Sequence, residues 1–135
     1  MKELTLTAAV DKLPEVTAFI DEQLEALDCS MKAQAQIDMV IDELFSNIAY
    51  YAYAPNTGDA TVRFDFDEPT RTAVITFIDS GVPYNPLEKE DPDIKLSAQE
   101  REVGGLGIFL VKKTMDEIRY ERRDGFNILS IYKKI

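Results

Sequence analysis

Apolar positions in this chain recur at two rhythms, every second residue in some stretches and every third or fourth in others, and these rhythms divide it into elements. Residues 60–67, ATVRFDFD, alternate strictly: Val62, Phe64 and Phe66 face one way, Thr61, Arg63 and Asp65 the other. The EPT turn follows, and RTAVITFID supplies a second strand, so the two form a predicted hairpin. A weaker alternation over residues 3–10, ELTLTAAV, predicts a first strand. Pro14 suits a helix start, where a missing N–H costs nothing, and Val16, Ile20, Leu24 and Leu27 then keep helical spacing. Ser30 is placed to cap a second helix that runs from about Met31 to Tyr53 and stops before Pro55. Near the end, Ile108, Val111, Met115 and Ile118 again have helical spacing, and Asp124-Gly125 joins two strand-like runs as a hairpin turn.

The predicted order is strand, helix, helix, strand, strand, loop, helix, strand, strand. Strands and helices do not alternate regularly, which argues against a doubly wound parallel sheet. The expected fold is an α+β two-layer sandwich, with a mixed, mostly antiparallel sheet covered by helices on one face. Residues 82–103 break the rhythm, with three prolines, many charges and little periodicity. An irregular stretch of that length within a compact domain is characteristic of a functional lid or of disorder.

Composition narrows the chemistry. At 135 residues the expectation is a single domain over 1–135. There is one cysteine, Cys29, and no histidine, which removes histidine-based catalysis and most transition-metal chemistry and suits a reducing cytoplasm. The amino terminus lacks the apolar core of a signal peptide, and no apolar run approaches the roughly 20 residues of a membrane span, so no membrane association is expected. The net charge of −10 repels nucleic acid. It also repels nucleotide phosphates, so any nucleotide needs backbone N–H groups, a cation or lysines such as Lys112 or Lys113 to offset that field.

Three polar clusters carry candidate chemistry. In VIDELFSNIAYYAY, residues 40–53, Val40, Ile41, Leu44, Phe45, Ile48 and Ala52 cover one helical face, and Glu43 and Asn47 fall together just outside its edge. They are either polar edge residues or the lining of a cleft. In a cleft, the Asn47 amide oxygen can ligate Mg²⁺ and the Glu43 carboxylate can take a proton from an attacking hydroxyl. In FIDSGVPYNP, Asp79 ends an apolar strand and Gly81 follows. They form either an ordinary turn or an acceptor for the adenine amine beside a backbone that approaches a flat ring. In GGLGIFLVKK, Gly104, Gly105, Leu106 and Gly107 precede a helix, either as a hinge or as a set of N–H donors for phosphate. The spacing is neither a Walker loop nor a dinucleotide fingerprint.

In combination and order, these stretches resemble the GHKL ATPase superfamily with its Bergerat fold, and within it the bacterial anti-sigma-factor serine/threonine kinases. DELFSNIAYYAY is similar to their N-box, DSGVPYNP to their first glycine box, GGLGIFLVKKTMDE to their second and NILSIYKK to their closing strand. The resemblance implies ATP and Mg²⁺ as cofactors. It implies Glu43 as general base and Asn47 as the Mg²⁺ ligand. Asp79 and Gly81 would hold adenine, with Asn127 supporting that end. Gly104, Gly105, Leu106 and Gly107 would wrap the phosphates under an ATP lid over about 82–103. Two positions depart from the pattern: Tyr51-Ala52 stands where relatives often carry His-Gly or His-Ala, and Gly125-Phe126 where a Gly-Thr pair is common.

The function implied is an ATP-binding anti-sigma regulatory factor with serine/threonine protein kinase activity. It would phosphorylate a STAS-type anti-anti-sigma protein, sequester a sigma factor and pair as a homodimer. The alternatives are a nucleotide-responsive binding module without kinase activity and a GHKL-type ATPase subunit.

Overall fold

The computed structural model describes residues 1–88 and 105–135. Five strands form one sheet in the order β1 (Lys2–Thr7), β2 (Asp59–Asp67), β3 (Thr72–Asp79), β5 (Phe126–Lys134), β4 (Glu117–Arg123). The sheet is as antiparallel as expected or more so: all four pairings are antiparallel, and the parallel pair that a mixed sheet would need is absent among the described residues. Two short turns fix its register. Around Asp124 and Gly125 both φ angles are positive, 54° and 85°, the backbone of a two-residue hairpin turn, and Arg123 therefore faces Phe126. Between β2 and β3, Arg71 N–H donates to Glu68 O at 3.1 Å and Arg71 takes a φ of 51°, so Asp67 faces Thr72.

The alternation read in the sequence decides which face is covered. Val62 and Phe64, Ala73, Ile75 and Phe77, and Leu129 and Ile131 point to the helices and are buried. Thr61, Thr76 and Ser130 point the other way. Helix α1 (Leu13–Ala26) contributes Val16, Ile20 and Leu24; α2 (Met31–Asn47) contributes Ile37, Val40, Ile41, Leu44 and Phe45; α3 (Gly105–Thr114) contributes Ile108 and Val111. Burying a side chain such as Phe45 or Phe77 contributes about 1.5–3 kcal/mol, so this seam holds the layers together.

The helix ends follow from local chemistry. The Ser30 hydroxyl accepts from Ala33 N–H at 3.1 Å and caps α2, as the sequence predicts. At the end of α1, Cys29 N–H reaches Leu24 O and Asp28 N–H reaches Glu25 O, both at 3.1 Å, while Asp28 takes a φ of 56°.

Three expectations are corrected. The first strand stops at Thr7 and a short 3₁₀ turn, Val10–Lys12, follows. The second helix is α-helical only to Asn47 and continues as a wider π-helical turn, Ile48–Ala52. The third helix ends at Thr114, and Ile118 belongs to β4. Helical and strand rhythms both turn Ile118 inward, so spacing alone does not separate them. No helix among the described residues is long and apolar enough to cross a membrane.

Candidate functional site

Asp79 closes β3 directly opposite Asn127 on β5. Both are buried, at 4% and 6% exposure, on a face otherwise filled by apolar side chains. Their polarity is matched bond by bond. Asp79 Oδ1 accepts from Gly81 N–H and from Asn127 Nδ2, each at 2.9 Å. The same Asn127 amide donates to Val82 O at 2.8 Å, and its Oδ1 accepts from the Tyr120 hydroxyl at 2.5 Å and from Tyr84 N–H at 3.3 Å.

The loop leaving β3 is held from two more sides. Arg122 donates to Gly81 O at 2.8 Å. Val82 N–H donates to Ala52 O at 2.9 Å, which satisfies a carbonyl left over at the end of the π-helical turn. Gly81 is required here. A Cβ at that position overlaps the Ala52 carbonyl, which is backbone and cannot step aside. Tyr53 closes the corner, its hydroxyl donating to Asp59 O at 2.6 Å and accepting from Ser80 N–H at 2.8 Å.

Above this floor lies a partly open cavity of about 40 Å³. Asp79, Asn127, Phe77 and Leu129 come from the sheet, Asn47, Tyr51 and Ala52 from α2 and its extension, and Val82, Tyr84 and Pro86 from the segment after β3.

A second cavity, of about 210 Å³, adjoins it between α2 and α3 and is lined by Glu43, Asp42, Met39, Gly107 and Leu110. Asn47 Nδ2 donates to Glu43 Oε1 at 3.3 Å, so this pair forms the boundary between the two cavities. Tyr84 marks the same boundary: burial raises its phenol above the ordinary value, and the nearby charge of Glu43, then Tyr51, raises it further. Gly107 lies flat against the Glu43 carboxyl group, where a Cβ would overlap it.

The sequence-predicted residues thus meet in two adjoining places. Asp79, Asn47 and Asn127 share the first cavity, with Gly81 beside it; Glu43 and Gly107 share the second. Gly105 and Leu106 open α3. Gly104 and most of the proposed lid, residues 89–103, lie outside the described residues. Lys113 sits over the Phe109 ring, 5.3 Å from its centroid.

Sequence reasoning missed Tyr53, Tyr84, Tyr120 and Arg122. A signal existed for the last two. Counting back from the Asp124-Gly125 turn puts Arg122 opposite Asn127 and Tyr120 opposite Leu129, on the inward face.

The donor set suits Mg²⁺ bound together with phosphates. Among the described residues no three carboxylate, thiol or imidazole groups gather to hold a metal by themselves. Asn47 turns its amide nitrogen to Glu43, which leaves its oxygen as a hard ligand, and Mg²⁺ commonly takes one or two protein oxygens and completes its shell with phosphate and water.

An acidic pair lies nearer the start of α2. Asp38 faces Asp21 of α1, and among the described residues one buried oxygen of each meets no donor unless a proton sits between the two carboxyls. Burial, the hydrogen bond with Asp21, and the charges of Asp21 and Glu25 push the Asp38 carboxyl up to about 7.

The model of the family described as "Histidine kinase-like ATPase domain" matches residues 6–133, and the chain belongs to that family. Among curated relatives, the serine/threonine-protein kinase BtrW of Bordetella bronchiseptica is 26% identical over 102 residues, 76% of this chain and 71% of BtrW. The serine-protein kinase RsbW of Bacillus mycoides is 28% identical over 95 residues, 67% of this chain but 58% of RsbW. The anti-sigma F factor of Pasteuria penetrans is 26% identical over 110 residues, covering 82% and 71% of the two chains. Among solved structures, the SiaB–SiaC complex from Pseudomonas aeruginosa contains a chain that superposes with a TM-score of 0.61 at 19% identity, over 98% of this chain and 89% of that one. At that identity the likeness speaks for the fold.

Proposed function

We propose that this member of the histidine kinase-like ATPase family binds ATP with Mg²⁺ and transfers the γ-phosphoryl group to a serine or threonine of a STAS-type antagonist. In its other partnership it sequesters a sigma factor, as a cytoplasmic homodimer. The names of its relatives, two protein kinases and an anti-sigma factor, support this reading.

The observation that carries it is the pairing of a buried acceptor with a metal ligand across one cavity. Asp79, held on one oxygen by two donors, suits the exocyclic amine of adenine. Asn47 lies on the opposite wall, and among the described residues no donor is bonded to its amide oxygen. The amino end of α3, beginning at Gly105, would turn the N–H groups of a helix's first turn toward phosphate oxygens.

Chemistry follows from Glu43. The substrate hydroxyl oxygen forms a bond to the γ-phosphorus, the bond to the β,γ-bridging oxygen breaks and ADP leaves. The hydroxyl proton passes to the Glu43 carboxylate. Mg²⁺ on Asn47 would supply charge neutralisation to the phosphates, which is most of what phosphoryl transfer asks of a protein.

A second reading has its own observation. The Glu43 carboxyl group is bonded to Asn47 and covered by Gly107, and Tyr51 stands where relatives often carry histidine. A nucleotide-responsive binder without transfer fits those features too. Incubating the protein with ATP labelled at the γ-position and a STAS-type antagonist separates the readings. Label on an antagonist serine or threonine is expected. Nucleotide-dependent antagonist binding without label favours the binder, and phosphate release alone favours an ATPase subunit.

A further inference from the structure

Asp79 presents two oxygens and the fold uses only one of them. Oδ1 takes both local donors, Gly81 N–H and Asn127 Nδ2. Among the described residues no donor reaches Oδ2, and Asp79 lines the cavity. What a base meets there is therefore set by how firmly Oδ1 is held, and that depends on which way round the Asn127 amide sits.

An asparagine amide turned by 180° exchanges two donors for an acceptor. At Asn127 the turned form would aim Oδ1 at Asp79 Oδ1 and at Val82 O, acceptor against acceptors, in a buried place where an unmet polar group costs most. The observed form is held from its other side. Tyr120 donates to Asn127 Oδ1 at 2.5 Å, and the second donor, Tyr84 N–H, is farther at 3.3 Å. Tyr120 reaches Asn127 because register puts them on one face as a diagonal pair: Tyr120 faces Leu129, two residues from Asn127.

We infer that Tyr120 is a positioning residue for base selection: its hydroxyl fixes the Asn127 amide, which fixes Asp79 with a lone acceptor turned to the cavity. This rests on the reading of Asp79 as the partner of a purine. An acceptor at that point takes the amino group of adenine and repels the carbonyl of guanine. The hydroxyl thus acts on the choice between the two purines rather than on phosphate contacts, which lie at the other end.

The test is Mg²⁺-ATP and Mg²⁺-GTP affinity by calorimetry for the wild type, Tyr120→Phe, Asn127→Ala, the double variant, and Tyr132→Phe, which removes a phenol hydroxyl from the opposite face of β5. Tyr120→Phe is expected to lose about tenfold in ATP affinity and to keep its GTP affinity, so the preference narrows about tenfold. Adding Tyr120→Phe to Asn127→Ala is expected to change nothing further, because the hydroxyl acts through that amide, and Tyr132→Phe is expected to match the wild type.

Unchanged preference in Tyr120→Phe, equal loss for both nucleotides, or an additive loss in the double variant would each overturn the inference while leaving the nucleotide reading intact. A wild type that binds neither nucleotide overturns both. The unsubstituted protein supplies a measurement free of folding effects. The Asn127 side-chain amide protons are expected to exchange slowly with solvent, and fast exchange would count against a fixed amide.

Discussion

At the β3–β5 end of the site, Asp79 receives two hydrogen bonds of 2.9 Å, and the amide that supports it is engaged by four partners. At the α2–α3 end, the only side-chain bond to Glu43 among the described residues is a 3.3 Å contact from Asn47. The first end is built on paired strands, where backbone bonds on both sides of β3 hold each Cβ in place. The second is built on a helix surface, with long side chains projecting from α2 toward α3. The difference teaches which task is prepared in advance. Base recognition rewards a rigid acceptor, because every degree of freedom removed beforehand strengthens binding. On the proposed reading, transfer needs Asn47 and Glu43 to take up new partners, metal and substrate hydroxyl, and their present bond is long enough to be exchanged. On the proposed reading, interactions at the rigid end supply the free energy that orders the other.

Substitutions that separate the two ends break or sharpen this contrast. Glu43→Gln keeps shape and removes the base, so phosphoryl transfer should fall by about 10²–10⁴-fold with ATP affinity nearly unchanged. Single-turnover transfer beside a binding titration checks it, and equal transfer by the variant would remove Glu43 from that role. Asp79→Asn should do the reverse, weakening ATP binding by about ten- to a hundredfold through the loss of a charged acceptor. Unchanged affinity would mean that the buried carboxylate serves the fold alone.

Gly107→Ala probes the looser end more gently. The added Cβ overlaps the Glu43 carboxyl group, which is the far end of a flexible side chain and can move. Folding and ATP binding should survive, and transfer should fall by about tenfold as the carboxylate is displaced. A crystal structure of the variant with Glu43 unmoved would contradict this.

The smallest effect concerns the helical layer that carries Glu43. Asp38 lies beside Asp21, and its carboxyl is pushed from 3.8 up to about 7. The fold favours the protonated form, so the native state binds more protons than the unfolded chain between these values. Stability from this group is fully present below the lower value and is lost as pH rises through the higher. Asp38→Asn keeps the shape without the charge. It should raise the melting temperature more at about pH 8 than at about pH 5, while purine preference stays fixed at both. An equal shift at both pH values would exclude Asp38 as the titrating group.

Much of the fold was legible because its signals are local. Strict alternation in ATVRFDFD, the Ser30 cap and the Asp124-Gly125 turn each act within a few residues. Glu43 and Asn47 were legible as a pair because one helical turn separates them, and their hydrogen bond follows from that spacing. Contacts that join distant segments were not. Tyr53 holds Ser80, 27 residues away, and nothing near either residue announces it. Ile118 was misassigned because a helix and a strand meeting at that point both demand an apolar residue there. The split into two adjoining cavities was also invisible, since it depends on how closely Gly107 approaches Glu43 across two helices.

The two-residue connection at Asp124-Gly125 acts as a measuring rule for the whole β3–β5 end of the site. It sets Arg122 against Asn127 and brings Tyr120 within reach of the same side chain. Lengthening it by a single residue would slide β4 one step along β5 and send Tyr120 and Arg122 to the solvent side. On the proposed reading, an insertion tag or a permuted terminus placed at this exposed corner would thus leave a chain that still folds and has lost its grip on the base, whereas the four-residue corner at 68–71 lies at the far end of β3 and is the safer place to cut.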